Sequence, residues 1–414
     1  MVARSTLPVR ARHLHGLSDG HQLQWLLDGR TAWMALSGAI ADAKISISVQ
    51  LYMLKPDAVG DAVVAALVQA CARGVTVQLV FDGVGSAGTT DDQLQRLVGG
   101  GVQLRVLGKP GLRLGLGHWR RRNHRKLWVF DDVVAIIGGR NVGDEYYALT
   151  DDHRTWHDAG LLVQGPVVHE IAAVLRQDWA GRSSVRGQMR DWVERVTRGA
   201  ARELIWQRTM HLRGQDPQVL ATPLPAPGDP QALARVGVAF NHGSVNTAFA
   251  NVAYVHAVRA AQIRVCLAHA YFLPGRQLAR ALVSASRRGV RLQILLPGLA
   301  ISDVPPVGWA TLYGLGRLLR RGAEVRMVRD TMLHTKIGIV DGQWWTVGSA
   351  NLDALSRRRN LEANLLGMGH SETLQATFDR LWDDAAPWTL QQDTERSLGL
   401  RLLSWIAWQF RGLL

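Results

Sequence analysis

One pattern of five residues occurs twice in this chain with identical internal spacing, and it restricts the fold more than any other feature. The first copy is His124, Lys126, Asp131, Gly138 and Asn141, and the second is His334, Lys336, Asp341, Gly348 and Asn351. Counted from each histidine the offsets are 2, 7, 14 and 17 in both copies, which lie 210 residues apart (334 − 124). The repeat predicts two similar halves that each supply half of one site.

Chance does not account for the pair. The chain contains only five lysines, and two of them stand two residues after a histidine. With 14 histidines, random placement would give one His-x-Lys-x4-Asp match with a probability on the order of 10⁻². Two matches at equal offsets would be far rarer.

A repeated strand-helix-strand unit precedes each copy of the motif. In the first half it reads KISISVQLYML, AVGDAVVAALVQACARGV and TVQLVFDG, and in the second QIRVCLAHAYFL, RQLARALVSASRRGV and RLQILLPG. Val59, Val63 and Leu67 recur at helical spacing, while Val77 and Leu79 alternate as in a strand. Such units predict an α/β fold in which a parallel or mixed sheet is flanked by helices.

The spacing within each motif should also bring its histidine, lysine and asparagine side chains together at one edge of the sheet. Residues two apart in a strand point to the same face, so each histidine and lysine should project together, whereas the aspartate at an odd offset points elsewhere or begins the turn. The Gly-Gly-Arg-Asn and Gly-Ser-Ala-Asn segments should end the returning strand and bring Asn141 and Asn351 back to the same edge.

These residue types fit the chemistry of a phosphodiester. A neutral imidazole can attack phosphorus and a protonated one can donate to the leaving alkoxide. Lysines and asparagines can bind the non-bridging oxygens, where phosphoryl-type transfer needs electrostatic help. We therefore expect His124, Lys126, Asp131, His334, Lys336 and Asp341 to be catalytic, with Asn141 and Asn351 in support. Neither a metal nor another cofactor is expected.

Each histidine should also have a carboxylate that fixes its tautomer. Glu362, in NLEANL, follows the second motif, and Asp158, in TWHDAGLLVQGP, follows the first. Asp151 and Asp152 are alternatives to Asp158.

The formal charge of +14 and the pI near 10.7 predict a polyanionic partner, either nucleic acid or an anionic membrane. The two cysteines, Cys71 and Cys266, lie in apolar runs and are expected to be buried free thiols in a reducing compartment. The sequence shows neither a secretory signal nor 18 consecutive apolar residues, so no membrane span is expected.

Two segments mix apolar and basic residues in a way that suits a lipid interface. They are GLRLGLGHWRRRNH, which ends at His124, and SLGLRLLSWIAWQFRGLL at residues 397–414. The second could be an interfacial helix, or it could pack on the second half of the protein, because burial uses the same amphipathic pattern. Fifteen tryptophans also favour an interface.

The Pro- and Gly-rich stretch ATPLPAPGDPQ indicates a boundary between the halves. We expect an N-terminal basic segment at 1–18, a first lobe at 19–167, a linker region at 168–235, a second lobe at 236–388 and an amphipathic tail at 389–414.

At the paired motifs the sequence resembles the phospholipase D superfamily and, within it, the bacterial cardiolipin synthases, in particular the shorter B type. FDGVGS, IGGRNVGDEY, AYFLPG and VGSANLDALSRRRNLEAN carry the resemblance, which spans Asp19 to Trp388. It implies two phospholipase-D-like lobes about a pseudo-twofold axis, with the motifs at their interface. His124 would carry a phosphatidyl group and His334 would protonate the departing glycerol, so that a second phosphatidylglycerol yields cardiolipin without a nucleotide cofactor.

The resemblance places such an enzyme on the cytoplasmic face of the cell membrane as a peripheral protein, with phosphatidylglycerol and other phospholipids as partners. Hydrolysis by a phospholipase D uses the same residues. A phospholipase-D-type nuclease and a non-catalytic lipid-binding protein are further alternatives, and a nucleic-acid partner is the less favoured one because both motifs lie in one chain. The oligomeric state is left open.

Overall fold

The structure is a computed structural model, and it describes residues 17–107, 122–150, 155–180, 235–242 and 248–414. Two β-sheets with helices against them make up these residues. Each sheet belongs to one half of the sequence, as the internal repeat predicts.

The first half contains a seven-stranded sheet. Its elements are β1 (Gln22–Leu26), α1 (Gly29–Asp42), β2 (Ser46–Leu51), α2 (Ala58–Ala72), β3 (Thr76–Asp82), α3 (Asp91–Gly99), β4 (Gln103–Leu107), β5 (Leu127–Phe130), β6 (Val134–Gly138), β7 (Gly160–Gln164) and α4 (Val167–Trp179).

The second half contains an eight-stranded sheet. Its elements are β8 (Arg235–His242), α5 (Phe249–Ala260), β9 (Arg264–His269), α6 (Arg276–Arg287), β10 (Arg291–Pro297), a 3₁₀ turn (Leu299–Ile301), α7 (Pro305–Leu319), β11 (Glu324–Val328), β12 (Lys336–Val340), β13 (Trp344–Gly348), α8 (Ala354–Arg358), β14 (Leu361–Met368), α9 (Glu372–Asp384), β15 (Ala386–Pro387), α10 (Leu390–Thr394) and α11 (Leu398–Gln409).

The two sheets have the same topology. Their strand orders are β1-β7-β6-β5-β2-β3-β4 and β8-β14-β13-β12-β9-β10-β11, with β15 added at the end of the second. In both sheets three strands pair in parallel (β2, β3 and β4; β9, β10 and β11), and the remaining pairs are antiparallel. The predicted α/β fold with two similar lobes, each a mixed sheet flanked by helices, is confirmed.

Local sequence explains why these elements form. Helix α2 begins where Asp57 accepts a hydrogen bond from the backbone N–H of Gly60, at 2.9 Å, because an N-cap carboxylate satisfies a free donor at the helix start. Its predicted apolar stripe, which includes Val59, Val63 and Leu67, is buried. Burial of such a stripe against the sheet is what stabilises a short helix in water.

The lobes pack against each other through the antiparallel halves of their sheets. One continuous apolar cluster includes Leu127 and Ile137 from the first sheet and Ile339 and Leu365 from the second. Trp345 meets Trp25 edge to face, with ring centroids 4.9 Å apart. The site described below therefore sits on a shared core rather than on a hinge between independent domains.

A buried arginine also joins the halves. Arg125 forms an ion pair with Asp178 of α4 and donates to the carbonyl oxygens of Asn241 in β8 and Glu362 in β14. A buried ion pair of this kind requires both partners, since either one alone would be an uncompensated charge.

The domain boundaries remain predictions. Helix α4 extends across the expected start of the linker at residue 168, and residues 181–234 lie outside the described part of the chain. Cys71 is partly buried and Cys266 is buried, and both are free thiols.

Candidate active site

Each motif histidine lies just before a central strand rather than within it. Lys336 is the first residue of β12 and Lys126 immediately precedes β5, so the predicted placement of histidine and lysine in one strand does not hold. The backbone of each histidine pairs instead with the opposite lobe. His124 donates its N–H to the carbonyl oxygen of Leu361 at 3.0 Å, and His334 donates to that of His157 at 2.8 Å.

These contacts form two short parallel bridges across the interface. Asn123 is bridged to Leu361, and His157 to Leu333. The relationship is reciprocal, because the segment before each histidine contacts the segment that follows the other lobe's Gly-x-x-Asn. Reciprocal contacts of this kind are what a twofold relation between two similar halves produces.

The bridges place each histidine beside the carboxylate of the other half. His124 Nδ1 lies 3.0 Å from Glu362 Oε2, and His334 Nδ1 lies 2.7 Å from Asp158 Oδ2. A carboxylate only accepts hydrogen bonds, so in both histidines the Nδ1 carries a proton and Nε2 is left for chemistry. Both carboxylates expected from the sequence are found at the histidines, but in crossed order.

Strand register shows that Asp158 and Glu362 are equivalent positions. In the first sheet Gly138 pairs with Gly160, and in the second Gly348 pairs with Asn364. Each carboxylate therefore stands two residues before the partner of the motif glycine. Sequence spacing conceals this, because Asp158 follows its own motif histidine by 34 residues (158 − 124) and Glu362 follows its own by 28 (362 − 334).

Glu362 is buried and fully hydrogen-bonded. Its Oε2 accepts from Ser349 Oγ at 2.5 Å, and its Oε1 accepts from Ser356 Oγ at 2.7 Å and Asn360 Nδ2 at 3.2 Å. Burial raises the pKa of Glu362, but nearby His124 and Lys126 together lower it by a larger amount, so the net pKa lies below the ordinary value. The ionised carboxylate can thus hold the His124 ring in place.

Asp158 has a tighter and simpler environment. Its Oδ1 accepts the backbone N–H of Ala159 at 2.7 Å, and a Cβ on Gly139 would lie 2.3 Å from that oxygen. The second glycine of Gly-Gly-Arg-Asn is therefore needed to let the carboxylate approach. Burial raises the pKa of Asp158, while Lys336 and His334 lower it to a net value below the ordinary one.

The lysines lie close to their own motif histidines. Lys126 Nζ donates to the carbonyl oxygen of His124 at 2.8 Å, and Lys336 Nζ lies 2.8 and 3.1 Å from the two ring nitrogens of His334. Burial lowers the pKa of Lys126 to about 7, with the charge of Lys336 acting in the same direction and Glu362 opposing both. Burial also lowers the pKa of Lys336.

Burial favours the neutral form of both histidines. It lowers the pKa of His334 to about 4, with help from Lys336 and against the effect of Asp158. The pKa of His124 is also lowered by burial, against the effect of Glu362. Two neutral imidazoles beside two lysines form a pocket whose charge is complementary to a phosphate.

The two motif asparagines are buried at the ends of β6 and β13. Asn141 donates from Nδ2 to Tyr146 Oη at 2.9 Å, and Ser356 Oγ accepts from the backbone N–H of Asn351 at 3.1 Å. Within the described residues both side-chain Oδ1 atoms are buried without a hydrogen-bond partner. An amide oxygen only accepts hydrogen bonds, so each asparagine could contact a phosphate oxygen through its Nδ2 group and not through Oδ1.

The first lobe also supplies aromatic rings that the motif search missed. Tyr52 stands edge to face against His124, with centroids 5.1 Å apart, while Tyr146 and Trp156 lie 5.1 and 5.7 Å from His334. Burial raises the pKa of Tyr146 well above its ordinary value, so its O–H stays protonated. Tyr146 is five residues after Asn141 and is the last residue of the IGGRNVGDEY segment that carries the family resemblance, so the sequence did contain a signal for it.

Asp131 and Asp341 lie at the other ends of β5 and β12, away from the histidines. Asp131 accepts the backbone N–H groups of Lys44, Ile45 and Ser46, each at 2.8 Å. Asp341 accepts those of Gln262, Ile263 and Arg264 at 2.8–2.9 Å. Both have positive φ, 53° and 55°, and both begin the turn between two strands, as the odd offset allows. The carboxylates of these two aspartates bind backbone N–H groups at the far strand ends, so their expected catalytic role remains a prediction.

Comparison with known proteins identifies this arrangement. The family described as cardiolipin synthase, phospholipase-D-like domain matches residues 36–179 and 254–382. These two matched segments contain all four motif histidines and lysines. The chain belongs to this family.

Sequence similarity to known cardiolipin synthases extends over most of the chain. It is 32% identical over 366 residues to cardiolipin synthase B of Salmonella typhi, covering 88% of this chain and 80% of the relative. It is 30% identical over 349 residues to cardiolipin synthase B of Escherichia coli, covering 84% and 76%. This member of the cardiolipin synthase family is therefore a phosphatidyltransferase of the phospholipase D superfamily.

A solved structure has the same fold as this chain. Phosphatidylserine synthase of Haemophilus influenzae superposes with a TM-score of 0.70, covering 98% of this chain and 99% of that one. At 15% sequence identity the likeness concerns the fold alone. It confirms the two phospholipase-D-like lobes.

Several sequence predictions fall outside the described residues. They concern Asp151 and Asp152, which were the alternatives to Asp158. They also concern residues 108–121, which contain most of the basic apolar segment before His124. Among the residues the structure does describe, no group of three or more His, Cys, Asp or Glu side chains could hold a metal ion. No helix in that part of the chain is both long and apolar enough to cross a membrane.

Proposed function

We propose that this protein transfers the phosphatidyl group of phosphatidylglycerol to the head-group hydroxyl of a second phospholipid, forming cardiolipin and releasing glycerol. The crossed pairing of His124 with Glu362 and of His334 with Asp158 carries the proposal. It gives one pocket two imidazoles with the same Nδ1–H tautomer, and each is held by the opposite lobe.

In the first step the neutral Nε2 of His124 attacks the phosphorus of the donor lipid. A P–N bond forms, the P–O bond to glycerol breaks, and His334 gives a proton to the departing glycerol oxygen. Glu362 stabilises the positive charge that develops on the His124 ring, because it already accepts its Nδ1 hydrogen.

In the second step the roles of the groups reverse. The neutral His334 takes the proton from the primary hydroxyl of the acceptor lipid, whose oxygen attacks phosphorus while the P–N bond breaks. His124 is regenerated, and the sum is two phosphatidylglycerol molecules converted into cardiolipin and glycerol. One phosphodiester replaces another, so the energy of a nucleotide is not required.

Electrostatic stabilisation would come from both lobes. We expect Lys126, Lys336 and the Nδ2 groups of Asn141 and Asn351 to donate to the non-bridging oxygens of the phosphate, which carry the charge in the transition state. The Lys336 ammonium lies against the His334 ring. A bound phosphate would draw this ammonium away and favour protonation of His334, which its role as an acid requires.

Exposure supports His124 as the nucleophile. Its side chain is 13% exposed, whereas that of His334 is 5% exposed and enclosed by two aromatic rings. A nucleophile must reach the phosphorus of a large substrate, while an acid needs only to reach one oxygen. Burial of the site also limits the access of water, which favours transfer to a lipid alcohol over hydrolysis.

We place the reaction at the cytoplasmic face of an anionic cell membrane. The lipid substrate and the net charge of +14 support attraction to such a surface. The two free cysteines are consistent with a reducing compartment.

A donor lipid with a p-nitrophenyl head group tests both the reaction and the assignment of roles. This leaving group needs no acid, so His334→Ala should still release p-nitrophenol in a first turnover. It should also retain labelled lipid on the protein after a quench in neutral detergent, which is used because acid hydrolyses a P–N bond to histidine. His124→Ala should do neither. His169→Ala changes an exposed histidine of α4 and should behave as the parent protein.

With labelled phosphatidylglycerol the parent protein should produce cardiolipin and glycerol. Turnover by His124→Ala and by His334→Ala should each be lower by about three orders of magnitude or more. Phosphatidic acid as the main product would establish a hydrolase instead. Full turnover by His124→Ala, or DNA cleavage without lipid turnover, would refute the proposal.

A further inference from the structure

Helix α11 (Leu398–Gln409) is attached to the second lobe by one stripe of residues. Ser404 and Ala407 are buried, and Leu400 packs against the main core of that lobe. The Trp408 ring lies over Tyr313 of α7, with centroids 5.3 Å apart, and approaches Gly314 closely enough that a Cβ there would be 3.0 Å away. The helix is therefore docked, as one of the two sequence interpretations expected.

The opposite side of the same helix is apolar and faces solvent. Leu398 is 82% exposed, Leu402 57%, Trp405 49% and Ile406 40%. A surface helix normally places polar residues on its outer side, because only the inner side is buried. The exposed apolar face of α11, formed by Leu398, Leu402, Leu403, Trp405, Ile406 and Phe410, reverses that pattern.

This clustering is unusual within the molecule. Seven of the fourteen exposed large apolar side chains in the described part of the chain fall between Leu398 and Leu413. Single exposed apolar residues need no explanation, but a contiguous patch marks a surface that contacts another apolar phase.

Charge indicates which phase that is. Residues 398–414 contain two arginines, the exposed Arg401 and the half-buried Arg411, and no aspartate or glutamate. Arg396, just before the helix, is mostly buried in an ion pair with Asp393. Arginines beside exposed leucine and tryptophan suit the boundary of an anionic bilayer, where guanidinium groups meet phosphates and indole rings prefer the head-group level.

The position of α11 connects this face to the active site. Ala407 and Trp408 belong to an apolar cluster with Leu273 and Tyr271, which follow the end of β9. At that end His269 pairs with Lys336, and Phe272 is bridged to Leu352 beside Asn351. The helix thus lies against the loop that leads from the catalytic edge of the second lobe.

We propose that the exposed apolar face of α11 inserts into the surface of an anionic phospholipid bilayer and holds the catalytic edge of the second lobe against it. The proposal rests on the proposed function, because a lipid substrate is what makes such a surface useful. It adds a specific docking surface, separate from the residues that perform the chemistry.

The test is a variant with Leu398→Gln, Leu402→Gln, Trp405→Gln and Ile406→Gln. A matched control carries Met34→Gln, Ile45→Gln, Val98→Gln and Ile263→Gln, which are comparably exposed apolar residues elsewhere on the protein. Sedimentation with vesicles of phosphatidylglycerol and phosphatidylcholine should show that the α11 variant binds roughly tenfold or more weakly, whereas the control binds as the parent does.

Turnover separates docking from chemistry. On short-chain phosphatidylglycerol dispersed as monomers, the α11 variant should retain the parent rate, and on vesicles it should lose about tenfold or more in rate. An equal loss on both substrates would show that α11 is needed for folding or chemistry and would overturn the docking proposal. Thermal unfolding by circular dichroism checks that the variant is folded.

Two further outcomes are distinguishable. Vesicle binding by the α11 variant equal to that of the parent would refute the docking proposal even if transfer is confirmed. A parent protein that binds vesicles through α11 but makes no new phosphodiester would refute the proposed function alone. A parent dimer that the variant converts to monomers, without vesicle binding by either, would show that the face joins two copies.

Discussion

Glu362 accepts a hydrogen bond from Nδ1 of His124, although 238 positions separate them in sequence. The contact crosses the interface between the lobes, and its counterpart between Asp158 and His334 crosses in the opposite direction. Neither lobe can therefore orient its own histidine, so a functional site requires both lobes to be folded and docked.

Substitution of either carboxylate should change the pKa of the histidine in the other half. Glu362 raises the pKa of His124 and Asp158 raises that of His334. In ¹³C-histidine NMR titrations, Glu362→Gln should therefore lower the pKa of His124 further and affect His334 less. Asp158→Asn should do the reverse.

The opposite assignment, in which each carboxylate shifts the histidine of its own half, would contradict the crossed geometry. Gln and Asn preserve size and one acceptor oxygen, so a loss of fold is not expected. Turnover should fall by about 10²-fold or more in both variants, because the imidazole is no longer held in the productive tautomer.

The activity should decline as the pH rises through neutrality. The pKa of Lys126 is lowered to about 7, so its ammonium is present below this pH and is lost above it in the free enzyme. Deprotonation removes a positive charge from the phosphate pocket, and kcat/KM should fall on the alkaline side with an apparent pKa near 7.

Lys126→Arg provides the control for this limb. A guanidinium stays charged at every accessible pH, so the residual activity of the variant should lose the alkaline decline. Persistence of the same decline in Lys126→Arg would assign it to another group.

Tyr146→Phe should weaken catalysis without disturbing the fold. The hydroxyl accepts from Asn141, and its own hydrogen is free to donate to a phosphate oxygen beside His334. Its removal should reduce kcat/KM by roughly tenfold, about the value of one hydrogen bond to a charged group. Tyr147→Phe, a buried neighbour that packs on Trp33, should leave the rate unchanged.

Asp131→Asn should reduce stability rather than chemistry. The carboxylate accepts three backbone N–H groups at the end of β5 that is remote from the histidines. Urea unfolding should show a loss of about 1–3 kcal/mol, while kcat per folded molecule stays within about twofold. A loss of turnover by the folded variant, in orders of magnitude, would return Asp131 to the catalytic residues.

Asp132→Asn is the matched control. The side chain of Asp132 forms an exposed ion pair with Arg176, and its backbone also has positive φ, which asparagine tolerates. An exposed pair contributes about 0–1 kcal/mol, so this variant should unfold close to the parent.

The sequence predicted the repeated lobes because periodicity is a local property. Val59, Val63 and Leu67 are buried on α2 as their spacing indicates. The paired motifs also identified the two histidines and the two lysines of the pocket. The same local reasoning placed the histidines within strands, and there it was wrong. Bridges to Leu361 and His157 replace strand pairing at those positions, and contacts with a distant segment leave no local pattern.

The tail illustrates the same limit. Its amphipathic pattern predicted either a docked helix or an interfacial one, and the structure shows a docked stripe at Ser404 and Ala407 with an apolar face outside. Composition alone could not distinguish these, because both uses of a helix draw on the same residues.

The sequence by itself determined the histidines, lysines and asparagines of the site and their spacing within each half, since motif residues depend on neighbours along the chain. Only the tertiary structure decided which carboxylate serves which histidine. That choice depends on how two sheets dock across a shared core, and the 34- and 28-residue spacings to Asp158 and Glu362 carry no information about it.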